Sequence, residues 1–258
     1  MEPTDPNDVW DGELQLRLPE ASGSQVFEDS GAVIDASNTE DGYVMIKCTS
    51  EKRLKVRVLK EDSGYNYDLN GTGQYEVFPL QMGNGEYEVR VMEQVEGTTY
   101  APLCRAQFSV TLKNENIVFV YPNQYVWYTN ATKAVEKSFA LCKNAQSDRE
   151  KLEILFQFVV SSLQYDEEKA KTVQSGYLPN VDEVLASGKG ICFDYAALLG
   201  AMLRAQDIPV TLVIGNVMPE NILHAWNQVY IDGKWVWYDA TLYGTGHKET
   251  DYTQERRY

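Results

Sequence analysis

The spacing of apolar residues changes near residue 121, and this change limits the folds that are open to the chain. Before it, apolar and polar residues alternate, as in Leu54-Lys55-Val56-Arg57-Val58. After it, the first apolar residues recur every three or four positions. A period of two is typical of strands with one buried face, and a period near 3.6 is typical of amphipathic helices. The sequence therefore predicts an all-β part followed by a part that begins with helices.

Residues 25–120 have the pattern of an immunoglobulin-like β-sandwich. Alternation recurs at residues 87–92 and 106–112, and turn signals lie at residues 62–64, 70–71 and 83–85. Several short strands separated by turns at this spacing favour two packed antiparallel sheets. No residue in this predicted domain carries an evident catalytic pattern.

Residues 121–258 predict an α+β domain, because helices come first and an antiparallel sheet follows. Ser147 and Glu150 have the spacing of a capping box, which opens a helix. Asp232-Gly233 is a hairpin turn signal between the last two predicted strands. The predicted helices cover residues 130–144, 148–163, 181–186 and 192–206, and the predicted strands cover residues 210–214, 225–231 and 235–239.

Charge and composition exclude several classes of partner. Among 258 residues, Lys and Arg number 23 and Asp and Glu number 38, a net charge of −15. Nucleic-acid binding depends on a basic surface, so a nucleic-acid partner is not expected. No apolar run is long enough for a membrane span. Residues 1–24 predict a flexible acidic leader without a signal-peptide core, so the location is cytoplasmic unless a signal peptide has been removed.

Cysteine and histidine are too sparse for a metal centre of common type. The four cysteines are Cys48, Cys104, Cys142 and Cys192, with no pair at zinc-binding spacing. We therefore predict no metal site and no cofactor. Cys48 and Cys104 either form a disulfide in an exported protein or are free core thiols, and the sequence leaves both open. Cys142 is expected to be buried and inert.

Cys192 is the candidate nucleophile. It begins a predicted helix, where the positive end of the helix dipole favours a thiolate, the attacking form of cysteine. Gly190 precedes it and would let a substrate backbone approach closely. The alternative for an isolated cysteine at this position is a buried structural residue, because free cysteine is among the most buried residue types.

His224 and Asp239 form a candidate pair with Cys192. Both lie on predicted strands that meet at Asp232-Gly233, and the hairpin register is expected to place them opposite each other to within a residue. An aspartate beside a histidine orients the ring and stabilises imidazolium. Either residue alone is more simply a buried polar group with a partner. His247 lies in a polar, glycine-rich stretch and is interpreted as a surface residue.

Several motifs that occur in order resemble those of the bacterial transglutaminase-like superfamily. The resemblance covers roughly residues 147–243, including Leu163-Gln164-Tyr165-Asp166. The other motifs are Gly188-Lys189-Gly190-Ile191-Cys192-Phe193-Asp194-Tyr195-Ala196, Met202-Leu203-Arg204, Ile208-Pro209, His224-Ala225-Trp226-Asn227 and Trp237-Tyr238-Asp239-Ala240-Thr241. The resemblance implies a papain-like fold and acyl transfer through a thioester, with Cys192 as nucleophile, His224 as acid and base, and Asp239 as orienting residue.

The oxyanion hole and the substrate groove are less well defined by the sequence. The backbone N–H of Cys192 is one expected oxyanion donor. Gln164 and Tyr165 are candidates for the second donor, and Tyr177 is a further candidate that we also consider for substrate binding, with Gly190 and Trp226. Aromatic packing is the simpler explanation for the tyrosines and for Trp226. The chain has no EF-hand-like loop, and we expect no calcium requirement.

Two classes of function fit these residues. The first is a thiol-dependent enzyme that acts on peptide or protein amides, with hydrolysis favoured over amine cross-linking because cross-linking requires the exclusion of water. The second is a catalytically idle scaffold whose β-sandwich binds a protein or glycan, because a fold does not by itself establish a function. The substrate, the acyl acceptor and the oligomeric state stay open.

Overall fold

The computed structural model describes residue 10 and residues 12–258. Contacts divide the chain into two compact units, Pro19–Val118 and Phe119–Tyr258, and the described residues before Pro19 belong with the second. The sequence places the corresponding boundaries after residues 24 and 120. Residues 1–9 and 11 of the predicted leader lie outside the described residues.

Two four-stranded antiparallel sheets make up the unit Pro19–Val118. Its strands are β1 (Val26–Asp29), β2 (Ala32–Asp35), β3 (Tyr43–Cys48), β4 (Leu54–Lys60), β5 (Ser63–Leu69), β6 (Glu76–Pro79), β7 (Gly85–Glu96) and β8 (Thr99–Val110). One sheet has the order β1-β2-β3-β6 and the other β5-β4-β7-β8. The predicted all-β character of this region is confirmed.

The alternating residues of this unit form its core. Val56 and Val58 lie opposite Val91 and Val89 on neighbouring strands, and all four are fully buried. Strand β8 of one sheet also contacts β1 and β2 of the other. The apolar faces of both sheets are thereby removed from water, which is the main contribution to the stability of a unit of this size.

The unit Phe119–Tyr258 contains five α-helices, one larger sheet and one short strand pair among its described residues. The helices are α1 (Lys133–Cys142), α2 (Asp148–Ser162), α3 (Glu167–Thr172), α4 (Val181–Ser187) and α5 (Cys192–Ala205). The strands are β9 (Gln164–Tyr165), β10 (Lys189–Gly190), β11 (Val210–Val217), β12 (Ile222–Ile231), β13 (Lys234–Tyr238) and β14 (Tyr252–Arg257).

Helix α5 is the central element of this unit. It contacts α1, α2 and α4 on one side and strands β11 and β12 on the other. Nearly every residue from Asp194 to Ala205 is buried, as expected for a helix that is apolar around most of its circumference. Arg204 is buried within it and donates to the backbone carbonyls of Tyr121, Val210 and Tyr258. These bonds satisfy a charge that would be costly to bury without partners.

The four-stranded antiparallel sheet has the order β13-β12-β11-β14. The sequence predicts three of these strands, and β14 is additional. Strand β14 closes the sheet beside β11, with Val217 opposite Tyr252. Across residue 10 and residues 12–258, no helix combines the length and the apolar character that a membrane span requires.

The predicted hairpin register is wrong by two residues. In the structure Asn227 lies opposite Tyr238 and Val229 opposite Val236, so continuing the register would put Asp239 opposite Trp226 rather than His224. The reason is that the turn is centred between Asp232 and Gly233, one position later than the register argument assumed. A shift of two residues leaves a side chain on the same face, because successive side chains alternate between faces.

Two local predictions at helix starts also need correction. Ser147 caps α2 by accepting from the Glu150 N–H at 3.2 Å, but the Glu150 carboxylate accepts from the Gln146 N–H rather than from Ser147. Helix α3 is missing from the predicted helices, although the acidic residues 166–168 form its start. Asp166 is its N-cap and accepts from the Lys169 N–H at 2.9 Å.

Candidate active site

Cys192 is the first residue of helix α5 and is only half-buried. The short parallel pair of β9 and β10 leads into this position, with Lys189 opposite Gln164 and Gly190 opposite Tyr165. The first N–H groups of a helix have no carbonyl partner within the helix. The Cys192 thiol therefore lies at a helix start where backbone N–H groups and the helix dipole favour negative charge.

A buried carboxylate fixes this helix start. Asp194 is fully buried and accepts from the Ile191 N–H at 2.8 Å. It also accepts from Lys169 Nζ at 2.7 Å and from the Tyr177 hydroxyl at 2.5 Å. Lys169 in turn donates to the Tyr177 hydroxyl at 2.7 Å. We call Lys169, Tyr177 and Asp194 the helix-start cluster. It ties α3 and the chain before α4 to the residue that caps α5.

The helix-start cluster explains why Tyr177 and Gly190 occupy their positions. The sequence predicts a role in substrate binding for both residues. The Tyr177 hydroxyl is engaged by Asp194 and Lys169, and burial together with the Asp194 hydrogen bond raises the pKa of Tyr177 to about 12. A Cβ at Gly190 would lie 2.6 Å from the Asp194 Cβ. Gly190 therefore leaves room for the Asp194 carboxylate that caps α5. This role differs from the predicted one, which is to let a substrate backbone approach.

His224 and Asp239 are in direct contact in the second part of the site. His224 Nε2 lies 2.7 Å from Asp239 Oδ2, and both side chains are buried. Burial lowers the pKa of His224, but the hydrogen bonds to Asp239 and Cys192 outweigh it and raise the pKa to about 9. An imidazolium is therefore favoured at neutral pH. Cys192 therefore lies close enough to the imidazole to raise the pKa of His224, and Nε2 of the same ring contacts Asp239.

Asp239 is held by four contacts. Its Oδ1 accepts from the backbone N–H groups of Thr241 at 2.8 Å and Leu242 at 3.1 Å. Its Oδ2 accepts from the Tyr252 hydroxyl at 2.7 Å in addition to contacting His224. Burial opposes the charged form, yet these hydrogen bonds hold the pKa of Asp239 below its ordinary value. The carboxylate is thus fixed in orientation and stays ionised.

The two oxyanion candidates on β9 differ in their relation to Cys192. Tyr165 is close enough for Cys192 to contribute to its raised pKa, although burial is the larger cause. Its side chain is 42% exposed. Successive side chains of a strand point to opposite sides, so Gln164 and Tyr165 do not both face the thiol. Gln164 is exposed and pairs through its backbone with Gly188.

Trp226, the remaining predicted groove residue, is buried against the imidazole rather than open to substrate. It is 2% exposed, and its ring stacks on His224 with centroids 6.3 Å apart and an interplanar angle of 16°. Tyr252 packs against Trp226 at 5.0 Å and against His224 at 6.0 Å. These aromatic contacts restrict the rotation of the imidazole.

The other cysteines and His247 lie apart from this arrangement. Cys48, Cys104 and Cys142 are free and buried. Burial raises the pKa of the Cys142 thiol to about 12, which makes it unreactive near neutral pH. His247 Nδ1 contacts the Thr245 hydroxyl at 2.7 Å. Within the part of the chain that the structure describes, no three His, Cys, Asp or Glu side chains group in a way that could hold a metal ion.

Sequence reasoning missed the roles of Lys169, Asp194 and Tyr252. Asp194 had a usable signal, because it follows the N-cap position of α5 by three residues, where a carboxylate caps a helix. Lys169 had none, because a single lysine in an exposed helix is usually a solvated residue. Tyr252 begins a strand in which Thr253-Gln254-Glu255-Arg256-Arg257 are all polar, so no hydrophobic alternation marks it.

Part of this chain matches a known protein family. Residues 135–240 match the family model of the transglutaminase-like superfamily. The mouse kyphoscoliosis peptidase is 28% identical over 120 residues, which are 43% of this chain and 18% of that protein. This chain therefore matches less than a fifth of the length of that relative.

Two solved structures are similar over a larger share of the chain. A provisionally assigned cysteine protease from Cytophaga hutchinsonii has a TM-score of 0.47 at 16% identity, covering 83% of each chain. Red sea bream transglutaminase has a TM-score of 0.34 at 11% identity, covering 77% of this chain and 48% of that one.

The matched region contains Cys192, His224 and Asp239, and it follows a substantial all-β region. Residues 135–240 of this chain therefore form a transglutaminase-like domain.

Proposed function

We propose that this protein is a thiol-dependent acyl-transfer enzyme that acts on peptide or protein amides through a thioester at Cys192. The observation that carries the proposal is the placement of Cys192 at the start of α5 beside His224, whose Nε2 lies 2.7 Å from a buried Asp239 that is held by four contacts. A cysteine at a helix start with an oriented imidazole beside it is the arrangement that activates a thiol nucleophile.

In the first half of the reaction, the Cys192 sulfur attacks the carbonyl carbon of the amide. The carbonyl oxygen becomes an oxyanion, and the C–N bond breaks when the nitrogen takes a proton from His224. The products are a free amine and a thioester on Cys192. Asp239 contacts Nε2 of the ring and stabilises the imidazolium that gives up this proton.

In the second half, an acceptor attacks the thioester carbonyl. With water as acceptor, neutral His224 takes one proton from it, the C–S bond breaks and a carboxylic acid leaves. With an amine as acceptor, the product is a new amide. Hydrolysis is the better-supported outcome, because Cys192 is half-buried and Tyr165 beside it is 42% exposed, so water reaches the thioester.

The oxyanion needs two donors in the transition state. We assign the first to the backbone N–H of Cys192, which begins α5. For the second we propose the hydroxyl of Tyr165, which pairs with Gly190 close before Cys192 and is near enough to Cys192 for the two groups to interact electrostatically.

We further propose that residues 25–120 are an immunoglobulin-like domain that contributes to recognition of a protein substrate. Its two four-stranded antiparallel sheets support this architecture. The name of the curated relative, a peptidase, is consistent with a peptide or protein substrate. An idle scaffold is the competing hypothesis, and the experiment below separates the two.

The test uses the full chain and a mixture of denatured proteins as substrate. New amino termini, detected by mass spectrometry, report hydrolysis, and incorporation of a fluorescent primary amine reports transfer to an amine. We expect new termini with the wild-type protein and none with Cys192→Ala. Cys142→Ala is the matched control, since it removes a buried cysteine of the same unit and should retain activity.

Thermal denaturation of each variant confirms that folding is unaffected. Equal activity in wild type and Cys192→Ala would eliminate the proposal. Binding of proteins without turnover, together with ordinary reactivity of the Cys192 thiol, would favour the scaffold instead.

A further inference from the structure

Tyr252 of strand β14 donates a hydrogen bond to Asp239, the carboxylate that contacts His224. Asp239 Oδ2 accepts from the Tyr252 hydroxyl at 2.7 Å and contacts His224 Nε2 at the same distance. Tyr252 lies beyond residue 240, where the match to the family ends. The motifs that identify the family therefore do not include this residue.

Several features of the fold hold Tyr252 in this position. Val217 of β11 lies opposite Tyr252 on one side and opposite Ile222 of β12 on the other, so β11 joins the strand of Tyr252 to the strand of His224. Gly215 permits this close packing. A Cβ there would lie 2.0 Å from the Thr253 carbonyl oxygen and 2.8 Å from the Trp226 ring.

The ring of Tyr252 packs against two tryptophan rings. It lies 5.0 Å from Trp226 and 5.0 Å from Trp237, in near-perpendicular contacts of the kind that aromatic rings prefer. The far end of β14 is fixed as well, because the buried Arg204 donates to the Tyr258 carbonyl at 2.9 Å. The hydroxyl therefore has a defined position relative to Asp239.

We propose that Tyr252 is a positioning residue that acts on His224 through Asp239, by binding Oδ2 and reducing the negative charge that this oxygen presents to the imidazole. The inference rests on the proposed catalytic role of His224 and Asp239. Tyr252 would be a fourth side chain of the site besides Cys192, His224 and Asp239. It lies on β14, outside the residues that match the family model.

The direction of the effect follows from the sharing of one oxygen. A hydrogen bond to the charged form of a carboxylate stabilises that form. When His224 is an imidazolium, part of the Asp239 charge is already compensated, so the Tyr252 hydrogen bond is weaker than when His224 is neutral. Tyr252 therefore favours neutral His224 slightly, and loss of its hydroxyl should raise the pKa of His224.

The orientation of Asp239 does not depend on Tyr252 alone. The backbone N–H groups of Thr241 and Leu242 still hold Oδ1 when the hydroxyl is removed. The titratable groups around the imidazole are few: Cys192 on α5, Asp239 after β13 and Tyr252 on β14. Asp251, next to Tyr252, acts on the phenol and not directly on the imidazole.

The experiment is an NMR titration of the His224 ring proton in full-length Cys192→Ala protein, with and without Tyr252→Phe. Removing the thiol leaves burial, Asp239 and Tyr252 to act on the His224 pKa and makes the result independent of catalysis. His247 is the one other histidine in the sequence and serves as internal reference. We expect Tyr252→Phe to raise the His224 pKa by about half a pH unit or more.

Tyr238→Phe is the matched control. It removes a tyrosine hydroxyl from the same sheet, where that hydroxyl donates to the Glu153 carboxylate at 2.9 Å and not to Asp239. The control should leave the pKa of His224 unchanged. If Tyr252→Phe impairs folding, Tyr252→Met fills the same space without a donor and is titrated in its place.

An unchanged or lowered His224 pKa in the folded variant would overturn the inference. In the protein that retains Cys192, the alkaline limb of kcat/KM against pH should move upward by the same amount in Tyr252→Phe. A pKa shift in a protein that shows no turnover would support the inference while the proposed function fails, so the two failures are distinguishable.

Discussion

Removal of the Lys169 ammonium is expected to destabilise the helix start on which Cys192 depends. Lys169 forms an ion pair with Asp194 at 2.7 Å, and Asp194 is fully buried while the Lys169 side chain is 29% exposed. In Lys169→Met, the aliphatic stem is largely kept and the charge is lost. Asp194 would then retain only two neutral donors, the Tyr177 hydroxyl and the Ile191 N–H.

The magnitude follows from the burial of the carboxylate. Breaking a fully buried ion pair costs about 3–5 kcal/mol, because the remaining charge stays without compensation. Lys169 is partly solvated, so we expect a loss of about 2–4 kcal/mol in the free energy of unfolding. For a unit of this size, that loss lowers Tm by roughly 5–15 °C. Urea denaturation followed by tryptophan fluorescence measures the change.

Lys171→Met is the control on the same helix. Lys171 pairs with Glu168 at 3.3 Å, and both side chains are largely exposed, so the pair contributes at most about 0.5 kcal/mol. Combining Lys169→Met with Asp194→Asn removes the uncompensated charge and should recover about half of the loss. If Lys169→Met is no more destabilising than Lys171→Met, the helix-start cluster does not have the role assigned to it.

Four further predictions concern the site. Asp239→Asn should lower kcat by about 10³–10⁴-fold, because His224 loses its orienting partner. In the wild type, the raised pKa of His224 stabilises the folded state below about pH 6.5, and this contribution is lost as pH rises through about 9. In Asp239→Asn, urea denaturation should show a smaller decrease in the free energy of unfolding over this pH range. A decrease as large as that of the wild type would mean that another group causes it. Gly190→Ala should destabilise the protein by about 1–3 kcal/mol through its contact with Asp194, and a neutral effect would contradict the crowding described above. Activity should persist in EDTA, whereas loss with EDTA and recovery with calcium would refute the expected independence from metal.

Features encoded in short stretches of sequence were predicted well. The start of α5 at Cys192 and the hairpin at Asp232-Gly233 both follow from local signals, namely a glycine-flanked turn and a two-residue loop. The contact of His224 with Asp239 was expected despite a register error, because a shift of two residues preserves the face of a strand.

Features that join distant segments were not predicted. Lys169, Tyr177 and Asp194 come from three different elements, and each has an ordinary explanation when it is read alone. Strand β14 lacks hydrophobic alternation and depends on its backbone pairing with β11, so its pattern does not distinguish it from a loop. The contribution of Tyr252 to Asp239 is therefore visible only in the folded chain.

If Cys192 and His224 form an activated thiol–imidazole pair, Cys192 should be alkylated faster than the other cysteines, and this difference can be measured for each cysteine separately. Native protein is treated with iodoacetamide at a series of pH values, and each cysteine is quantified by peptide mass spectrometry. We predict that Cys192 reacts at least about tenfold faster than the other three at pH 6, and that His224→Ala removes this advantage. Slow reaction of Cys192 in the wild type, or equal rates in wild type and His224→Ala, would contradict the account.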